Sequence, residues 1–97
     1  MIYFLHPAAE QDLATAVRFY HREAGRSVAA RLIDEFERVA ALLADDPGLG
    51  TPTSVNRRTF PLHGFPYSVI YRPVDGGIRI LVVRHQHRSP GFGTRRR

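Results

Sequence analysis

The hydrophobic period of this chain changes once, and that change bounds the fold. From residue 9 to residue 43 apolar side chains recur at steps of three and four, the spacing that gathers them on one face of a helix. From residue 58 to residue 85 they fall instead in short runs separated by glycine, proline and polar residues, the pattern of strands. A helical half followed by a strand half predicts an α+β fold, with the helices on one face of a sheet. At 97 residues the chain is one domain. Such a domain buries roughly 60–65% of the surface its unfolded form exposes.

The elements can be placed from the N-terminus onward. Ile2–Leu5 is an apolar run of strand length, and Pro7 suits the first turn of a helix, where its missing N–H costs nothing. Ala9, Leu13, Ala16, Val17, Tyr20 and Ala24 form the stripe of a first helix, with Glu10 and Asp12 near its positive end. Gly25 ends it, and Ser27 is the expected N-cap of a second helix. There Val28, Leu32, Phe36, Val39 and Leu43 make the stripe, widened by Ile33, Ala40 and Leu42. Pro47 stops this helix, and a loop is expected through Gly48 and Gly50 to about Asn56.

Three strands follow: Arg58–Leu62, Pro66–Arg72 and Arg79–His85, the last two joined by the turn Asp75-Gly76-Gly77. The Ile-Leu-Val-Val centre of the last strand suits a central position covered on both faces. The predicted order is β-α-α-β-β-β: an N-terminal strand, then an antiparallel helical hairpin packed on a mostly antiparallel four-stranded sheet. Residues 1–97 form this single domain, with a flexible basic tail expected from about residue 91.

Charge divides the chain at the same place. Residues 1–56 carry five arginines against eight acids, net −3; residues 57–97 carry nine arginines against the single acid Asp75, net +8. Every basic side chain other than histidine is arginine, with no lysine at all. The positive half favours an anionic partner, either nucleic acid or an acidic protein. The absence of cysteine excludes disulfides and thiolate metal sites and fits a reducing cytoplasm. No apolar run approaches the ~18–20 residues of a membrane span.

Two constellations can carry chemistry. His85 and His87 alternate on a strand and could share a face, as an acid/base pair or as metal ligands, but no third ligand accompanies them, so no metal site is assigned. Arg57, Arg58, Arg72, Arg84 and Arg88 lie in or beside the strands, where guanidinium groups could converge on a phosphate or carboxylate. Ser54, Ser68 and Ser89 have no nucleophile context, and no glycine-rich phosphate loop occurs. No cofactor is implied.

Taken together the elements and their residues resemble the RelE/ParE superfamily of toxins from bacterial type II toxin–antitoxin systems, of plasmid-stabilisation type. The matching residues are Ala9, Asp12 and Leu13; Pro47-Gly48-Leu49-Gly50; Arg57-Arg58; the run Phe65 to Arg72; and the closing run Val83 to Pro90. One departure is His6, where a serine or threonine commonly caps the first helix.

The resemblance implies one of two activities. RelE-like members cut mRNA in the ribosome, whereas ParE-like members inhibit DNA gyrase. The arginine of the RelE-like strand falls here on Ser68, that of its last strand region on Gln86, and its terminal tyrosine on Phe92, while its lysines have no counterpart. Phe92 cannot exchange a proton, and Ser68 and Gln86 cannot stabilise a phosphorane as cations do. The ParE-like branch is therefore the expectation, with no catalytic residues. The alternative is a ribosome-dependent endoribonuclease built on Arg84, His85, His87 and Arg88; a third possibility is an inactive relic that only binds its antitoxin.

The resemblance also implies a cognate antitoxin with an acidic C-terminal segment, forming a hetero-oligomer with the toxin in the cytoplasm and away from membranes. Arg57, Arg58, Tyr67 and Arg72 are the residues expected to meet it. Arg88, Phe92, Arg95, Arg96 and Arg97 are those expected to meet gyrase.

Overall fold

The computed structural model describes residues 2–88 and 91–97; Ser89 and Pro90, which close the last motif, lie outside the described residues. The elements are β1 (Ile2–Leu5), α1 (Pro7–Ala24), α2 (Arg26–Asp45), β2 (Thr51–Ser54), β3 (Arg57–Pro61), β4 (Tyr67–Val74) and β5 (Gly77–His85). The sheet has the order β1-β5-β4-β3-β2, with β1 parallel to β5 and every other pair antiparallel. The α+β reading and the helical hairpin on a mostly antiparallel sheet hold.

The strand count does not: the sheet has five strands rather than four. The additional strand, β2, lies in the stretch expected to be loop. Its sequence Thr-Pro-Thr-Ser buries no side chain, so it gives no hydrophobic period to read. It is held by backbone pairing to β3 alone, and an edge strand tolerates the missing N–H of Pro52.

Both helices lie on one face. The core there joins Ala9 and Ala16 of α1 and Leu32, Phe36, Val39, Ala40 and Leu43 of α2 to Val69, Tyr71, Ile78, Ile80 and Val83 of the sheet. Alanines on α1 let that helix approach the strands closely, while the larger stripe of α2 fills the volume beside it. Ile33 and Leu42, expected to widen the buried stripe, are exposed.

The two helices meet at one residue. Gly25, with φ at +93°, ends α1 through its N–H to the His21 carbonyl at 3.2 Å, and it is also the N-cap of α2. A side chain there would be strained. Ser27 is already inside the helix, so the expected serine cap is not used. His6 does cap α1: its Nδ1 accepts the Ala8 N–H at 2.9 Å, which is the service a serine or threonine would give.

One irregularity sets what the end of β5 presents. Ile70 pairs with Val82, but the next residue, Tyr71, pairs with Ile80, so Leu81 is an extra residue in β5. This bulge turns Leu81 and Val82 to the face opposite the helices, where they form a second small core with Ile70. It also re-phases the remainder of the strand: Val83 and His85 face the helices, and Arg84 faces away.

Candidate functional site

No strand contains an aspartate or glutamate, yet the strands hold Arg57, Arg58, Arg72, Arg79 and Arg84. Alternation assigns them to faces. Arg58 pairs with buried Tyr71 and so lies on the helix side. Arg57, Arg72, Arg79 and Arg84 lie on the outer side, Arg72 directly opposite Arg79 and Arg84 opposite Ser68. Of the guanidinium groups expected to converge, Arg57, Arg72 and Arg84 share the outer face, joined there by Arg79, whereas Arg58 lies on the other face and Arg88 lies beyond the end of β5.

The segment 91–97, expected to be flexible, is laid across that outer face in turns. Phe92 packs on Ile70, Leu81 and Val82. The guanidinium groups of Arg88, at 4.8 Å, and Arg96, at 5.0 Å, both lie over its ring in cation–π contact. Gly93 makes this approach possible, since a Cβ there would stand 2.5 Å from Val82 Cγ2. Arg57 donates to the carbonyls of Gly93, at 3.4 Å, and Arg96, and Arg72 donates to that of Arg97 at 3.2 Å.

The anchor of the segment is an ion pair. Arg96 donates both terminal nitrogens to Asp12 of α1, Nη2 to Oδ1 at 3.2 Å and Nη1 to Oδ2, and also reaches the Leu81 carbonyl at 3.1 Å. Asp12 accepts the Val83 N–H as well, at 3.1 Å. Asp12 was read as an acid near the start of a helix and as one of the residues carrying the resemblance, with no partner assigned to it. Its position between Ala9 and Ala16 on the sheet-facing stripe was the available signal, because an acid on a buried stripe needs a partner.

The five residues expected at the gyrase contact therefore divide. Phe92 and Arg96 are engaged within the chain, whereas Arg88, Arg95 and Arg97 are exposed.

Of the four residues of the nuclease alternative, His85, His87 and Arg88 gather at the end of β5 while Arg84 is separated from them. His85 lies on the helix side, its ring edge-on to Tyr67 at 5.0 Å, and His87 is exposed, with ring centroids 5.1 Å apart. The His87 N–H donates to His85 Nδ1 at 3.1 Å. Arg84 points to the opposite face. Tyr67, His85, Arg88, Asp12 and Phe92 do line a cleft of about 120 Å³. Burial and the neighbouring Tyr20 push the Tyr67 hydroxyl up, so it keeps its proton at neutral pH. Among the described residues no three His, Cys, Asp or Glu side chains gather as a metal site.

Of the residues expected to meet the antitoxin, Arg58 has work inside the fold. Its Nη1 donates to the Gly50 carbonyl at 2.7 Å, while the Gly50 N–H donates to the Tyr71 hydroxyl at 2.9 Å and that hydroxyl donates to the Pro47 carbonyl at 2.8 Å. The Pro47–Gly50 loop is pinned to the sheet by these three bonds. Tyr67 is half-buried among aromatic rings, 6.3 Å from Tyr20. Arg57 and Arg72 sit on the far face with the 91–97 segment.

Two further groups have shifted ionisation. Burial, and then the charges of Arg79 and Arg96, hold His6 below its ordinary value, against a smaller pull from Asp12. The two-point ion pair with Arg38 holds the Glu35 carboxyl low, helped by the His63 N–H, which donates to it at 2.6 Å.

A family model described as "ParE toxin of type II toxin-antitoxin system, parDE" matches residues 3–90. No curated protein matches. Among solved structures the chain is similar to one titled "Chromosomal ParDE TA system from P. aeruginosa", with a TM-score of 0.76 and 23% identity over 88% of this chain and 95% of that one. That likeness carries the fold.

Proposed function

This chain belongs to the ParE toxin family of type II toxin–antitoxin systems, and on that premise we propose that it inhibits DNA gyrase in the cytoplasm and is neutralised by a cognate antitoxin. The observation that supports inhibition over RNA cleavage is the division of the last strand. Arg84 lies on one face and His85 on the other, so the arginine of the last strand does not stand beside its histidine to stabilise a phosphorane. Contact with gyrase is assigned to the exposed Arg88, Arg95 and Arg97, with Phe92 and Arg96 holding their segment in place.

The test is DNA supercoiling by purified gyrase with the protein titrated in, without antitoxin. Loss of supercoiling with accumulation of cleaved DNA is the expected result. Full supercoiling at large excess of folded protein would overturn it. The cleft holding Tyr67, His85 and Arg88 favours one second reading, ribosome-dependent RNA cleavage. Transcripts cut in a translating lysate, with cutting lost in His85→Ala, would establish that instead.

The antitoxin is expected to bring an acidic segment to Arg57 and Arg72 and apolar helix faces to the exposed Phe19, Ile33 and Leu42 of the helical hairpin. Arg58 and Tyr67 lie on the helix side, so a partner touching all four residues must wrap the sheet. Charge reversal of Arg72 to Glu should weaken capture about tenfold or more, measured by calorimetry. Unchanged affinity would remove Arg72 from the interface.

A further inference from the structure

We propose that the outer face of the sheet carries a phosphate-binding cleft between Arg57 and Arg84. A cavity of about 280 Å³ opens there, lined by Thr53, Ser54, Arg57, Ile70, Arg84, Phe92 and Thr94. Two arginines and three hydroxyl-bearing residues line it beside the apolar pair Ile70 and Phe92, the Thr94 hydroxyl donating to the Gly91 carbonyl at 3.1 Å. No acid belongs to any strand, and Asp12 is matched to Arg96. The two arginines of the cleft therefore face no carboxylate among the described residues.

Their hydrogen bonding points the same way. Arg57 is bonded to two backbone carbonyls, which leave its charge uncompensated. Arg84 has a buried Nε with no partner. A desolvated guanidinium edge left unpaired is costly, and an anion on the same group offsets that cost. The donor set selects the anion. A carboxylate has two oxygens, which one arginine fork can fill; the Arg84 fork, the charge of Arg57 and the hydroxyls of Thr53 and Ser54 suit a tetrahedral group with more oxygens to share. A phosphate group meets that description, whether free or as part of a nucleic-acid backbone.

The cleft is built partly by Phe92 and Thr94, so it exists only with residues 91–97 lying on the sheet. A bound phosphate would consequently hold that segment down. This goes beyond gyrase inhibition and does not depend on it.

The test uses the full chain, isotopically labelled, observing arginine Nε–H signals by NMR. Inorganic phosphate is titrated against chloride and acetate at matched ionic strength. Saturable shifts at Arg57 and Arg84 with phosphate alone are expected, with Arg58 and Arg38 unmoved. Arg84→Gln should weaken that response about tenfold or more. Ser54→Ala, at an exposed edge position, should weaken it while leaving the remaining spectrum unchanged. Equal responses to all three anions, or no saturation, would overturn the proposal. Short duplex DNA then separates the sources: competition with phosphate at Arg84 assigns the site to backbone phosphates, and its absence assigns it to free phosphate.

Discussion

Asp12 and Arg96, 84 positions apart in sequence, form a two-point ion pair that ties the C-terminal segment to the first helix. Both side chains are largely shielded, at 12% and 18% exposure. Asp12 simultaneously accepts the backbone N–H of Val83, so one carboxylate fixes a helix, a strand and the tail.

Asp12→Ala should therefore destabilise the protein by about 2–3 kcal/mol, since it orphans both a guanidinium and a backbone N–H. Arg96→Ala should cost less, because Asp12 keeps Val83. A double-mutant cycle by urea denaturation measures the coupling. Additive effects would show that the two side chains do not act as a pair.

Glu35 joins α2 to the His63 turn, and Glu35→Ala should cost about 1–2 kcal/mol through loss of a charge-assisted bond. Arg38 is mostly solvent-exposed, so its share of that loss is small. Glu37→Ala, on the exposed side of the same helix, should fall within about 0.5 kcal/mol of the parent. Melting temperatures of the two variants provide the comparison, and equal shifts would count against the Glu35–His63 link.

Gly50 admits no side chain. A Cβ there would meet the Tyr71 hydroxyl at 2.6 Å and the Thr59 carbonyl at 2.8 Å. Gly50→Ala should destabilise by about 2 kcal/mol or more, as overpacking of a closed site does. Tyr71→Phe should lose about 1–3 kcal/mol, leaving the Gly50 N–H without its acceptor. Wild-type stability of Gly50→Ala by thermal unfolding would mean that the loop does not sit under Tyr71.

Acid should weaken the fold in two steps. The folded His6 sits below its ordinary value of 6.5, so the unfolded chain takes up that proton first. Its contribution is full above about pH 6.5 and is lost as pH falls toward the lowered folded value. Glu35 is held below 4.5; its contribution is present above that value and is lost as pH falls through the folded one. His6→Asn, which still caps, should abolish the upper step, and Glu35→Gln the lower. Urea midpoints followed from about pH 8 to about pH 3 test this. An unaltered profile in His6→Asn would remove the histidine from the account.

The hairpin, four of the five strands and their order along the chain were legible because each depends on local periodicity. Leu32, Phe36, Val39 and Leu43 fell on one stripe and are buried together. What escaped depends on pairing at a distance. β2 carries no apolar side chain inward, so only its ladder with β3 makes it a strand. The placement of residues 91–97 required knowing that Asp12 faces the sheet and that Gly93 can pass over Val82. The candidate arginines were recognised, but not their division. Arg57 and Arg58 are adjacent in sequence and end on opposite faces, one holding the tail and the other the Gly50 loop.

The extra residue at Leu81 has a consequence for how such a surface can change. Beyond it, the side of the sheet on which each residue of β5 emerges is decided by parity alone. Were Leu81 drawn into the regular ladder opposite Ile70, Arg84 would pass to the helix side and His85 to the outside without any change in the composition of the strand end. A shift of pairing at the bulge, rather than any substitution, is the shortest route by which this scaffold could exchange a basic outer surface for an imidazole one.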